Sequence, residues 1–256
     1  MDSLSLLTWG TQGWLDELTF ATGLTLLVAL AGFCVGSLIG SIGAAAKLSP
    51  SAWSRGLADG YTTCLRGVPD LLVIYLFYFG GSSLLGAVAG LFGVTGFVGM
   101  PAFVTAALAI GLVNGAYQAE VLRGAYLAIP RGELEAATAC GMSGMTKLWR
   151  IIVPQTLRFA LPGLGNVWQL VLKESALVAV IGLTVHLPAI DIFQWFTLPE
   201  VRFNDLLRQA HVAAGSTRQP FVFYMAAAGF YLLLTTFSTL AFQWAEKRAL
   251  VGMRRH

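Results

Sequence analysis

Five apolar runs are spaced along the chain, each about long enough to cross a hydrocarbon core as a helix, for which about 20 residues suffice. They cover roughly residues 19–46, 61–85, 100–123, 159–185 and 221–246. The first and fifth are uninterrupted. The second holds Pro69 and Asp70, the third ends with Asn114, Gln118 and Glu120, and the fourth contains Lys173 and Glu174. In the first run Gly32, Gly36, Gly40 and Gly43 recur at the small-xxx-small spacing that lets helices approach closely. The pattern predicts an all-α integral membrane bundle of about five transmembrane helices. It forms one domain over residues 19–246, followed by a short tail, residues 247–256. No repeat at a fixed period is visible.

The polar stretches between the runs differ in kind. Residues 186–220 are mixed in character; within them Phe193–Phe196, "FQWF", reads as a short helix at the membrane interface, a level that suits aromatic rings. Residues 132–158, "GELEAATACGMSGMTKLWRIIVPQTLR", are too charged for lipid and too regular for a slack loop. Pro130 favours a helix start, Glu133 and Glu135 suit its N-terminal dipole, and Gly141 suits a left-handed cap. Leu134, Ala137, Thr138 and Gly141 then share a narrow face of mostly small residues. Ser143 caps a second helix, which Pro154 is expected to stop. Its apolar side carries Met142, Met145, Leu148, Trp149 and Ile152. Such a pair either lies on the bilayer surface or docks into a groove of another protein.

Composition agrees with the membrane reading. The chain is 56% hydrophobic and 11% charged, with a mean hydropathy of +0.71, against about 25% charge in soluble domains. Lys and Arg set the orientation. None precedes the first run or falls between the second and third. Lys47 and Arg55 follow the first run, Arg123 to Arg158 surround the loop 124–158, and Lys247, Arg248, Arg254 and Arg255 end the chain. The N-terminus is thus expected outside and the C-terminus in the cytosol. Asp2, Asp16 and Glu17 stand where a cleavable leader would be basic. Cys34, Cys64 and Cys140 read as small buried hydrophobes, and the three histidines form no metal cluster. No basic, aromatic-interleaved patch points to nucleic acid. No Lys follows a Gly, which excludes a phosphate-binding G-x-x-x-x-G-K loop; HExxH and GxSxG are also missing, so no enzyme site is expected.

Charged residues at membrane depth cost on the order of 2.5–3.5 kcal/mol each and usually face the bundle interior or water. Asp70, Glu120, Lys173 and Glu174 are therefore candidates for the path of a solute, with Asn166 and Gln169 as weaker ones. Asp70 and Glu174 would favour a cationic side chain. Glu120 and Lys173 have a structural reading too, as ion pairs with neighbouring helices. Trp168 reads mainly as packing.

The loop and its flanks resemble a known family. Glu135, Ala136, Ala137 and Gly141, followed after nine residues by Ile151 and Pro154, are similar to the EAA loop of permease subunits of ABC importers, with Val153 where Leu is usual. "GYTTCLRGVPDLLVIYLFYFG", "GAYQAEVLRGAYLAIPRGELEAA" and "ALPGLGNVWQLVLKESALVAVIGL" resemble polar amino acid permeases of the histidine/lysine/arginine/ornithine and opine type, over nearly the whole chain. At "KES" the acid and hydroxyl Glu174–Ser175 replace the family's usual Asp-Thr or Ser-Thr.

The resemblance implies the type I (MetI-like) importer permease fold in a bacterial inner membrane. It implies that Glu135, Ala136, Ala137, Gly141, Met142, Ile151 and Pro154 belong to a coupling helix seated in a cytosolic ATPase. The expected partners are a second permease subunit, distinct or identical, two copies of the ATPase, an extracytoplasmic solute-binding protein and membrane lipid. ATP and magnesium are used by the ATPase, with no cofactor on this chain. The rival is a self-sufficient, ion-coupled amino acid carrier using Asp70, Glu120 and Lys173 as a relay; nothing in ion coupling requires the EAA segment.

Overall fold

The structure is a computed structural model. It describes residues 5–10, 13–81, 83, 102–177, 185–187, 190–193, 196–198 and 201–250. The end of the second expected span, the start of the third, the end of the fourth and the basic tail Arg254–Arg255 lie outside the described residues.

Helix α1 runs Leu15–Leu48, with Asp16 and Glu17 in its first turn and Lys47 in its last, each opposite in sign to the helix dipole there. It is followed by α2 (Ala52–Gly67), α3 (Asp70–Tyr75) with a π turn over Leu76–Gly80, and α4 (Ala102–Leu127). Then come α5 (Arg131–Ala139), α6 (Gly144–Lys147), a π turn over Leu148–Ile152, and α7 (Val153–Ser175). Helices α8 (Leu206–Thr217) and α9 (Pro220–Leu250) complete the described chain. On length and composition alone, α1 and α9, the latter as far as Ala249, suffice to cross a membrane.

The second apolar run is not one helix. Proline disfavours helical geometry in the residue before it and lacks an N–H. Val68 is accordingly extended, its N–H bonds back to Cys64, and the chain restarts at Asp70 behind Pro69.

The chain divides into two compact units. The first comprises Met1–Gly32, Pro69–Ile110 and Val171–Leu234. Its core gathers Leu6, Leu18 and Ala21 with Leu206, Ala210 and Phe223, and Trp14 meets Phe223 edge-on at 6.0 Å. The buried Thr25 hydroxyl accepts from the Leu206 N–H at 2.9 Å, satisfying one of the orphan donors at the start of α8.

In the same unit, β1 (Val185–Leu187) pairs antiparallel with β4 (Val201–Phe203), and β2 (Ile190–Phe193) with β3 (Phe196–Leu198). One register runs through both pairs until an irregularity between Asp191 and Phe193. The interfacial helix expected at Phe193–Phe196 is thus corrected at its two ends to antiparallel strands; Gln194 and Trp195 lie outside the described residues. Ile190, Ile192, Phe193, Phe196 and Thr197 are β-branched or aromatic, and such residues favour strands over a short isolated helix.

The second unit comprises Phe33–Val68, Gly111–Leu170 and Thr235–His256. Here the glycine stripe of α1 packs on α4. A Cβ on Gly36 would stand 2.8 Å from Gln118 Nε2, and one on Gly40 2.8 Å from Gln118 Cβ and 3.1 Å from two backbone atoms of α4. Gly115 of α4 answers them, with the Tyr61 hydroxyl only 2.8 Å from where its Cβ would be. That hydroxyl donates to the Leu112 carbonyl at 2.6 Å, and Ser37 donates to Gln118 at 2.8 Å. Close approach of glycine surfaces and interhelical hydrogen bonds take over where lipid supplies no hydrophobic drive.

Two further expectations are corrected. All three cysteines are free and exposed, because they lie on outward faces of α1 and α2 and at the end of α5. Pro154 does not stop a helix: α6, the π turn and α7 run on as one element through it. The π turn just before Pro154 widens the backbone spacing where the ring would otherwise meet a carbonyl, so the proline is accommodated rather than disruptive.

Candidate functional site

Two sets of candidate residues fall in different units. The segment expected to couple to an ATPase lies in the second. Helix α5 ends in a Schellman arrangement: the Met142 N–H bonds to the Ala137 carbonyl at 3.1 Å and the Gly141 N–H to the Thr138 carbonyl at 2.9 Å. Gly141 has φ +72°, a conformation that side chains with a Cβ rarely adopt. The chain turns there, and the Ser143 hydroxyl accepts from the Thr146 N–H at 3.3 Å to start α6.

Two side-chain bonds close the corner. Lys147 Nζ donates to the Thr138 hydroxyl at 3.0 Å, and Gln155 Nε2 donates to Glu133. The result is a braced corner continuous with α7. Ala137 faces inward, while Glu135, Ala136, Gly141 and Pro154 are exposed and Met142 and Ile151 are half-buried. Leu134, Glu135, Thr138 and Lys147 line a concavity of about 540 Å³. Met145 and Trp149 present large apolar surfaces outward, 66% and 64% exposed.

The intramembrane candidates separate. Asp70 and Glu174 come together in the first unit, their side chains close enough to interact. Glu174 is 3% exposed. The helix break at Pro69 places Asp70 in the first turn of α3. The neighbour of Glu174 in sequence, Lys173, is exposed and forms no ion pair among the described residues.

Glu120 belongs to the second unit and to a different cluster. Its Oε1 lies 2.5 Å from Lys47 Nζ and its Oε2 3.2 Å from Arg123 Nε, while Lys47 also reaches Asp59 at 2.7 Å. Both Glu120 oxygens therefore face cations of the same unit. Gln169 donates to the Thr239 hydroxyl at 3.1 Å, tying α7 to α9, and Asn166 is exposed. Trp168 packs edge-on against Phe33 at 5.5 Å.

Sequence reasoning overlooked Asp205. It caps α8, accepting from the Leu207 N–H at 3.2 Å, and is 6% exposed. Burial pushes its carboxyl up to about 7, opposed in part by backbone N–H groups and by Arg208. The Asp-Leu-Leu start of α8 marks the cap; nothing local marks its burial.

The model of the family described as binding-protein-dependent transport system inner membrane component matches residues 18–251. An octopine transport system permease protein, OccQ, of Rhizobium radiobacter is 51% identical over 255 residues, covering 100% of this chain and 99% of that protein. The histidine/lysine/arginine/ornithine transport system permease protein HisQ of Escherichia coli is 36% identical, covering 90% and 92%. Among solved structures, an amino acid ABC transporter crystallised with histidines matches with a TM-score of 0.73 at 28% identity, over 97% of this chain and 99% of that one.

Proposed function

Because the chain belongs to the family of inner membrane components of binding-protein-dependent transport systems, we propose that it is the subunit through which cationic amino acids or arginine-derived opines enter the cytoplasm. ATP is hydrolysed by a separate subunit. The Asp70–Glu174 carboxyl pair carries this reading. Two neighbouring acids at membrane depth are a poor neighbourhood for an anionic solute. A guanidinium, ammonium or imidazolium group arriving beside them is favoured by its opposite charge. The relatives named for octopine and for histidine, lysine, arginine and ornithine support that class.

The coupling reading rests on the braced corner. An ATPase that moves α5 drags α7 with it, since no flexible joint separates them; rigid-body motion is transmitted only by such stiff elements. Ala136, exposed and without bulk, and the concavity beside Glu135 and Thr138 suit insertion into a cleft. In this reading residues 124–158 face the cytosol, the N-terminus lies outside, and a second permease subunit, two ATPases and a solute-binding protein complete the assembly.

Uptake by the assembled transporter in proteoliposomes, with binding protein outside and ATP inside, tests it. Glu174→Gln is expected to lower the initial rate for cationic solutes roughly tenfold, the worth of one charge-assisted contact, with basal ATP hydrolysis retained. Unchanged rate and preference in both Glu174→Gln and Asp70→Asn would remove the carboxyl pair from the path. Uptake that needs an ion gradient and no ATP would replace the importer by a self-sufficient carrier.

A further inference from the structure

A polar cavity of about 470 Å³ lies between α1, α2 and α4, within the second unit. Its charged lining consists of Lys47, Asp59, Arg66, Glu120 and Arg123. The charges do not balance. Lys47 is shared between Asp59 and Glu120, and the Arg123 Nε takes the remaining Glu120 oxygen. Lys47 also holds the Asp59 carboxyl below the usual range, so that it stays ionised.

With both carboxylates matched, Arg66 is the cation left over. Its guanidinium lies 5.3 Å above the centre of the Tyr117 ring and makes no ion pair or side-chain hydrogen bond among the described residues. That cation–π contact uses no carboxylate, so the guanidinium N–H groups remain able to donate. Arg123 commits one N–H and keeps its terminal nitrogens. The cavity therefore holds more donors than acceptors, and its donors have the geometry that binds phosphate.

Its position says where that phosphate comes from. Lys47 follows the apolar run of α1 directly, and α2 exposes Trp53 and Leu57, 84% and 73%. Trp53 stands in the first turn of α2, a few residues past the end of the apolar α1, and an exposed Trp beside the end of an apolar helix marks the headgroup level of a bilayer. We propose that this cavity binds the phosphate of an anionic phospholipid headgroup, with Arg66 as its principal ligand and Arg123 as the second. The site depends on the chain lying in a bilayer and not on which solute it carries, so it stands or falls apart from the transport reading.

Native mass spectrometry of the detergent-purified, assembled transporter tests it, with phosphatidylglycerol, dioleoylglycerol (tails without phosphate) and inorganic phosphate as probes. The wild type is expected to retain one phosphatidylglycerol more per copy of this chain than Arg66→Gln, whose affinity falls about tenfold. Arg150→Gln, which removes an exposed cation elsewhere, is expected to match the wild type. Retention of the partner subunits in the same spectra reports folding. If Arg66→Gln does not assemble, Arg66→Lys replaces it and is expected to weaken retention several-fold by losing the guanidinium fork. Equal retention in wild type and the Arg66 variant overturns the site. So does an equal loss in Arg150→Gln, which would mean unspecific surface charge. Dioleoylglycerol binding as well as phosphatidylglycerol overturns it in favour of tail contacts, and inorganic phosphate displacing the lipid at equal concentration overturns the headgroup assignment.

Discussion

Asp205→Asn should make the protein more stable at alkaline pH and remove most of the pH dependence of its unfolding over a specific window. The carboxyl is 6% exposed, and its Oδ1 is buried with no hydrogen-bond partner among the described residues. Burial raises its titration from the ordinary 3.8 to about 7. The folded protein therefore holds this proton more tightly than the unfolded chain does. As pH rises from about 4 the unfolded state releases the proton first, and folding loses stability until about pH 7, where the folded carboxyl also ionises. At about 1.4 kcal/mol for each tenfold in proton affinity, keeping the charge buried costs about 4 kcal/mol at pH 8.

Asn is as good an N-cap as Asp and keeps the acceptor for the Leu207 N–H, so the helix start is preserved while the charge is gone. The groups facing the carboxyl are Arg208, which opposes the shift, and Tyr231. Thermal unfolding of the assembled transporter in nanodiscs, followed from pH 5 to pH 8, reads the effect. The wild type should lose melting temperature across that range and Asp205→Asn should stay nearly level, with the gap between the two narrowing toward pH 5. Parallel curves for the two proteins would show that Asp205 is not the group responsible, and that its burial is relieved in the bilayer.

Other consequences are as direct. Gly141→Val forces a branched residue into φ +72°, at a cost on the order of 1–2 kcal/mol; uptake per ATP hydrolysed should fall while subunit assembly persists, and an unchanged ratio counts against the stiff corner. Gly40→Leu must separate α1 from α4 and should abolish recovery of folded transporter, whereas Gly56→Ala, with nothing within 4 Å of the new Cβ, should be neutral or slightly stabilising in the same thermal assay. Lys47→Met strips Asp59 of its cation and leaves Glu120 to Arg123 alone; a loss of about 1–3 kcal/mol is expected, below that of a fully buried pair, with part recovered by adding Glu120→Gln.

Pro69, Gly141, Ser143 and the first-turn acids of α1 act through their own backbone or within a turn of it, so the helix break and the capped corner are legible in the chain alone. The glycine stripe is legible for a related reason: absence of a side chain has one main use inside lipid. Other outcomes depend on residues distant in sequence. Lys47 and Glu120 are 73 residues apart, and no local pattern tells that Lys47 rather than Lys173 finds acids. The pairing of Asp70 with Glu174, the exposure of the cysteines and the burial of Asp205 beneath α1 and α9 side chains are likewise settled by packing.

Pro154 and the paired strands at Phe193 and Phe196 show the limit from the other side. A proline's effect depends on the backbone geometry just ahead of it, and a strand needs a partner to satisfy its hydrogen bonds. Chain chemistry alone determined a helical membrane protein with a stiff corner and charges at depth. Tertiary structure decided which of those charges neutralise one another and which are left to meet a ligand, because Coulomb and desolvation energies depend on distances that span the whole chain.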